Sequence, residues 1–253
     1  MYAVISDIHA NLAALEAVLR DIDAQKIEDV VCLGDVVGYG PDPLRCVDLI
    51  MERCDVTVMG NHEEALVQRA AAYGFHAIAR DAIDWTRDQL EPGFFSSPLV
   101  RRRWEFVRDL PLRWQRGPDV FVHGSPRHPT SEYLLANEVS WNPAKYEEVL
   151  SATDRFLFVG HTHQPCVIDQ DLAVKTLGEL GGVYSGPAGR RAVVNVGSVG
   201  QPRDHDPRAC YVVVDDDRIT WRRVPYDVPA TVSRIHAIDR LDDRLAKRLE
   251  AGT

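Results

Sequence analysis

No stretch of this 253-residue chain is apolar for long enough to cross a bilayer as a helix, which sets aside a transmembrane helix. Cysteine is scarce. Cys32, Cys46, Cys54, Cys166 and Cys210 are odd in number and contain no CxxC pair, which excludes a disulfide framework and suits reduced thiols in a cytoplasmic protein. The N-terminal run Met1 to Asp7 has no basic leader and no long apolar region, so it reads as a first strand rather than a secretory signal. An excess of positive charge is also missing. The formal net charge of −9 works against broad affinity for nucleic acid or anionic membranes, so an anionic substrate must be drawn in by local cations. No Ser-rich or Pro-rich linker divides the chain, and residues 1–253 read as a single domain. Gly181, Gly182, Gly186 and Gly189 come without a P-loop pattern and read as a flexible hairpin loop.

What is present is a series of apolar strands that end in polar side chains. Val30-Val31-Cys32-Leu33 is apolar throughout, as in a parallel sheet covered on both faces, and stops at Gly34-Asp35. Before it, Met1 to Ser6 ends at Asp7-Ile8-His9, and Leu12, Leu15, Val18, Leu19 and Ile22 then recur at helical spacing, the start of a βαβ unit. After it, Leu44, Val47, Ile50 and Met51 mark a second helix, and Asp55 to Met59 runs into Gly60-Asn61-His62-Glu63. From Glu64 to about Trp114 the pattern is helical, which we read as a helical cap inserted over residues 64–114. Its Arg101-Arg102-Arg103 run reads as a solvated helix face, and Phe75 and His76 as packing residues. Two further short strands close on His123 and on His161-Thr162-His163. From Pro165 onward short strands imply a second sheet, and Val232 to Leu249 reads as one final amphipathic helix.

Asp7, His9, Asp35, Asn61, His62, His123, His161 and His163 form an oxygen and imidazole donor set with no thiolate. Such a set suits divalent manganese, iron or zinc and argues against a structural zinc site. The donors are too many for one ion. Two ions sharing Asp35 would give each a sensible shell. Capping explains any one strand end but not five in succession.

Asp7-Ile8-His9, Gly34-Asp35, Gly60-Asn61-His62-Glu63, His123 and Gly160-His161-Thr162-His163 resemble the five ordered motifs of the calcineurin-like metallophosphoesterase superfamily. The stretches Gly34 to Pro43 and Gly197 to Arg208 look most like its small bacterial phosphodiesterase-like branch. The resemblance implies an α/β (α+β) fold of two packed mixed β-sheets flanked by helices, a four-layer sandwich with the helical insertion. It also implies that Asp7, His9, Asp35 and His163 hold one metal, and Asp35, Asn61, His123 and His161 the other. The expected cofactors are two divalent ions, manganese first, with iron, zinc or nickel as alternatives. His62 is then the catalytic residue, protonating the departing alkoxide while a metal-bound hydroxide attacks phosphorus in line.

The protein serine/threonine phosphatases and diadenosine tetraphosphatases carry an Asp-Arg-Gly triplet where this chain has Gly38-Tyr39-Gly40. The missing acid and arginine tilt the expectation away from phosphoproteins and toward a small phosphodiester. Asp42 is a substitute for the acid or a turn former. Arg203, in the polar loop Asn195 to Arg208, is the candidate substrate-binding phosphate clamp, with pairing to Asp204 or Asp206 as the alternative. The expectation is a cytoplasmic dinuclear phosphodiesterase for a small or nucleotide-like ester, with nucleic acid and membranes set aside as partners and a homo-oligomer left open. The rivals are a phosphomonoesterase or dinucleoside polyphosphatase and, from another class, a non-catalytic partner-binding scaffold.

Overall fold

A computed structural model describes residues 1–186 and 189–253. Two six-stranded sheets face one another. The first runs in the order β3 (Val56–Thr57), β2 (Val30–Cys32), β1 (Tyr2–Ile5), β11 (Ala209–Asp215), β12 (Arg218–Val224) and β9 (Val183–Ser185). The second runs β4 (Trp114–Arg116), β5 (Asp119–Phe121), β6 (Phe156–Val159), β10 (Ala192–Asn195), β7 (Cys166–Asp169) and β8 (Val174–Thr176). Both are mixed: β1, β2 and β3 run parallel while β11 and β12 are antiparallel, and β5, β6 and β10 run parallel while β7 and β8 are antiparallel. The strands after Pro165 therefore do not make a sheet of their own, as their sequence suggests. They divide between the two sheets, because pairing follows long-range register rather than order along the chain.

The continuous apolar runs are explained by burial on both faces. In β1, Tyr2 and Val4 join Val31, Phe121, Phe158, Val194, Val212 and Trp221 between the sheets. Ala3 and Ile5 point the other way, onto Leu15, Val18 and Ile22 of α1 (Leu12–Ala24) and Val47 and Ile50 of α2 (Pro43–Arg53). On the far side, Leu157, Val159 and Val193 pack against Tyr146 and Val149 of α6 (Pro143–Leu150). The Tyr2 hydroxyl donates to Asp119 Oδ2 at 2.8 Å, and Arg155 donates to both oxygens of the same carboxylate, pinning the sheets together at one end.

Between β3 and β4 lie α3 (Asn61–Val67), a 3₁₀ turn at Arg69–Gly74, α4 (Ala77–Leu90) and α5 (Pro98–Arg108). The helical pattern stops short of Trp114, which opens β4 instead. Arg103 in α5 is bidentate to Asp48 at 2.7 Å, so part of the arginine run clamps α5 to α2. The short α7 (Leu177–Leu180) ends on Gly181, and the remainder of the glycine-rich loop includes residues 187 and 188, which lie outside the described residues. The C-terminal segment is two helices, α8 (Val228–His236) and α9 (Asp243–Ala251), rather than one. Asp242 breaks the pattern because its side chain accepts the Arg244 N–H and caps α9. Among the described residues no helix is long and apolar enough to cross a membrane.

Candidate metal centre

The polar residues cluster past the C-terminal ends of β1, β2, β3, β5 and β6, the edge at which open sheets with parallel strands bind ligands. One ligand atom from each of Asp7, His9, Asp35 and His163 falls within 4.8 Å of the others, and so does one from each of Asp35, His123 and His161. Asp35 belongs to both groups. Asn61 Oδ1 approaches His123 Nε2 to 3.1 Å and so joins the second group.

A strand that simply continued could not aim these side chains together. Asp7, His9, Asp35, His161 and His163 all turn into the left-handed region, with φ of 54°, 47°, 50°, 62° and 59°. Such backbone costs of order 1–3 kcal/mol per residue and persists only where the surroundings enforce it. Here the enforcement is a set of loop bonds: Asp7 N–H donates to Gly34 O at 3.0 Å, His9 N–H to Asp35 O at 2.9 Å, and Gly200 N–H to Asp7 O at 2.9 Å. The Glu63 carboxylate accepts the backbone N–H groups of Asp35, Val36, Val37 and Gly60 at 2.7, 2.8, 3.1 and 3.1 Å, fixing the turn that carries Asp35.

The histidines are set for coordination by what lies behind them. His9 Nδ1, His123 Nδ1, His163 Nδ1 and His161 Nε2 each face a backbone carbonyl, of Val37, Leu33, Gln201 and Ser131, at 3.3, 2.9, 2.6 and 3.3 Å. Those outward nitrogens therefore carry the N–H in the neutral tautomer, and the inward ones present lone pairs. The inward nitrogens meet in pairs: His9 Nε2 and His163 Nε2 are 3.1 Å apart, and His123 Nε2 and His161 Nδ1 are 3.0 Å apart. Two facing lone pairs repel unless a cation or a proton lies between them.

Charge balance points the same way. Burial pushes His9 and His163 below their ordinary values and His161 down to about 3. Burial also acts against ionised Asp35, but the neighbouring imidazoles, His123 first, outweigh it and hold that carboxyl well below the usual carboxylate range. The price falls on His123, which burial would neutralise yet Asp35 at 3.3 Å drives up to about 9. Asp7 Oδ1 has no hydrogen-bond partner although His163 Nε2 is 3.2 Å away. Two fully buried carboxylates, one with an orphaned oxygen, among histidines that burial would keep neutral form a site that fits divalent cations.

His62 stands apart from both donor groups. Its backbone N–H donates to Asp35 Oδ1 at 2.9 Å, and its Nε2 is 4.0 Å from Asp35 Oδ2. The ring packs among those of His9, Tyr39 and Phe75, with centroids at 4.7, 4.6 and 5.0 Å, and its Nδ1 has no partner. Burial pushes it down to about 4, with Asp35 opposing.

Arg203 lines a cavity of about 320 Å³ together with Tyr39, Asn61, His62, Phe75 and Tyr133. Its Nη2 donates to Gln201 Oε1 at 3.0 Å and it makes no bond to Asp204 or Asp206, which pair instead with Arg223 and Arg208. Asp42 does not reach His62; it stands before α2 and pairs with Arg234. Phe75 and His76, read from sequence as packing residues, both line the cavity, and Phe75 packs on the His62 ring. Sequence reasoning missed Tyr133, whose ring stacks on His161 at 3.8 Å, and Arg248 of α9, which also lines the cavity. Neither sits beside a motif, and only the tertiary packing of their segments brings them in.

A family model described as the calcineurin-like phosphoesterase superfamily domain matches residues 1–218. An uncharacterized protein of Methanocaldococcus jannaschii is 36% identical over 259 residues, covering 100% of this chain and 98% of that protein. The crystal structure of a metallophosphoesterase from Sphaerobacter thermophilus superposes with a TM-score of 0.82 at 37% identity, covering 100% of this chain and 98% of the other. A hypothetical protein from Pyrococcus horikoshii shares the fold with a TM-score of 0.74 at 21% identity, over 100% and 98% of the two chains.

Proposed function

The chain belongs to the calcineurin-like phosphoesterase superfamily, and from that premise we propose that it is a two-metal phosphodiesterase for a small or nucleotide-like ester. The observation that carries the reading is the sharing of Asp35 between two buried donor groups whose inward histidine nitrogens face one another. In this reading Asp7, His9, Asp35 and His163 hold one divalent ion, and Asp35, Asn61, His123 and His161 the other, with manganese as the first choice. Ions bound there would polarise the phosphoryl oxygens and lower the pKa of an attacking water.

The chain's own groups supply the rest. Asp35, through its bond to the His62 backbone N–H, holds the catalytic ring beside both metal groups. Burial favours the neutral His62 ring and Asp35 opposes it; in its protonated form the ring donates an N–H to the leaving oxygen and passes that proton as negative charge grows there, returning to the neutral imidazole. Arg203 grips a non-bridging phosphate oxygen with its planar fork. The ring-lined cavity beside His62 gives room for the second ester arm, which supports a diester over a monoester. The whole chain works as one domain in this account, since the α3–α4 segment and α9 wall the same cavity.

The test is hydrolysis of bis-p-nitrophenyl phosphate against p-nitrophenyl phosphate, with and without added Mn²⁺, by wild type and His62→Ala. Metal-dependent activity on the diester that falls about 10²-fold or more in the variant is expected. Preference for the monoester would replace the diester reading, and silence on both with metal bound would favour a binding protein.

A further inference from the structure

The cavity continues beyond His62 and Arg203 to a second cation. Arg248 lies in α9, whose Leu245, Ala246 and Leu249 pack in one small core with Tyr39 and with Ala79 and Ala82 of α4. Past the helix, Gly252 O accepts the His205 N–H at 2.8 Å, which ties the end of α9 to the loop bearing Arg203. Both arginines are thus held on braced backbone, and both are half-buried.

Among the described residues, neither Arg203 nor Arg248 has a carboxylate partner, whereas Arg208, Arg223, Arg234, Arg240 and Arg244 nearby are each paired. Arg203 bears on His62 and His163 beside the candidate metal ligands, whereas both arginines bear on Tyr39 and His76, Arg203 the more strongly on Tyr39 and Arg248 on His76. His76 Nδ1 accepts the Ala79 N–H at 3.3 Å, so its neutral ring presents Nε2–H as a second donor. Tyr39, Phe75 and Tyr133 supply aromatic wall to the cavity that both arginines line.

Resting on the phosphoesterase reading above, we propose that Arg248, with His76, is an anion subsite that selects a nucleotide-like phosphoester carrying a second phosphate group. The scissile phosphate sits with the metals and Arg203. A flat ring lies along the aromatic wall, and the second phosphate accepts the Arg248 fork and the His76 N–H. A cavity of about 320 Å³ is at the small end of ligand sites, which restricts the choice to one nucleotide-sized arm rather than a polymer.

The experiment uses a matched pair, thymidine 5′-(p-nitrophenyl phosphate) with and without a 3′-phosphate, alongside bis-p-nitrophenyl phosphate, on the Mn²⁺-loaded protein. Wild type is expected to favour the 3′-phosphorylated ester by about tenfold or more in kcat/KM, the effect of one or two charge-assisted bonds. Arg248→Ala brings that ratio close to one, Arg248→Lys keeps part of it, and Arg244→Ala, whose arginine is paired with Asp242, leaves it as in wild type. Cleavage of bis-p-nitrophenyl phosphate with a wild-type ratio near one, or a ratio that survives Arg248→Ala, overturns the subsite and leaves the phosphodiesterase reading standing. No release from any of the three esters sinks both.

Discussion

Gly38 and His62 are packed so closely that a β-carbon on residue 38 would overlap His62 Nδ1 and stand 2.8 Å from its Cε1. Gly38 also has φ of +85°, a conformation that side chains of L residues rarely adopt. The protein serine/threonine phosphatases carry the aspartate of their Asp-Arg-Gly triplet at this position. Here the space is given up to the ring itself, and Tyr39, Phe75 and His9 set its orientation by packing.

Gly38→Ala is therefore expected to displace the His62 ring. Turnover on a diester should fall roughly tenfold to a hundredfold, as general acid catalysis is lost with small errors of position. Strain at a positive φ should also lower stability by about 1 kcal/mol or more. Steady-state kinetics and thermal unfolding check the two effects separately, and unchanged turnover would show that the ring has slack.

Metal stoichiometry distinguishes the roles within the cluster. Because Asp35 belongs to both donor groups, Asp35→Asn should lose both ions, whereas His161→Ala should weaken one group and leave Asp7, His9, Asp35 and His163 intact. His62→Ala should retain full metal content. Stripping wild type with a chelator should lower its melting temperature, since an ion at a hundred times its Kd stabilises by about 2.7 kcal/mol. Elemental analysis that finds equal losses in Asp35→Asn and His161→Ala would remove Asp35 from its bridging position.

The candidate donor cluster was legible because its chemistry is written at the ends of apolar strands, where Asp7, Asp35 and His123 follow runs that can only be buried. The left-handed turns that aim these residues were not legible, because they are imposed on Asp and His by bonds from Gly34, Gly200 and Glu63 far along the chain. The same holds for β11, whose apolar run identifies a strand but not that it pairs with β1 across two hundred residues. Val232 to Leu249 keeps helical spacing through the break at Asp242, so only the cap geometry separates α8 from α9. Tyr133 and Arg248 carry no local signal, since they line the cavity only through packing.

Asp21 offers a test of pH dependence away from the metals. It accepts Arg222 Nε and Nη2 at 2.6 and 2.8 Å and the Tyr211 hydroxyl at 2.6 Å, linking α1 to β12 and β11. The Arg222 guanidinium holds its carboxyl below the usual range. A depressed folded pKa contributes stability above the unfolded value and loses it as pH falls through the folded one. In chelator-treated protein, the melting gap between wild type and Asp21→Asn should be complete at pH 7 and narrow from about pH 4 downward. Partial exposure keeps that gap within about 1 kcal/mol and makes it smaller in high salt. A gap that stays constant down to pH 3 would mean that the ion pair does not contribute.

Glu63 is where stability and metal binding are expected to be joined. Its buried carboxylate accepts four backbone N–H groups, three of them from the turn that presents Asp35. Glutamine keeps the length but replaces one oxygen with a donor that faces other donors, so at least one N–H is left without a partner. Glu63→Gln should cost about 2–4 kcal/mol, read as a fall of several degrees in melting temperature. Metal affinity should fall by about 10–100-fold, as happens when a group behind a ligand is lost. The two losses need not go together. If the chelator-treated variant melts like chelator-treated wild type while metal affinity still falls, the turn holds its left-handed Asp35 without the carboxylate, and Glu63 acts by orienting the ligand. If both fall, the strain at Asp35 is balanced by those four bonds, and the same side chain that allows the backbone to turn there also makes it a ligand.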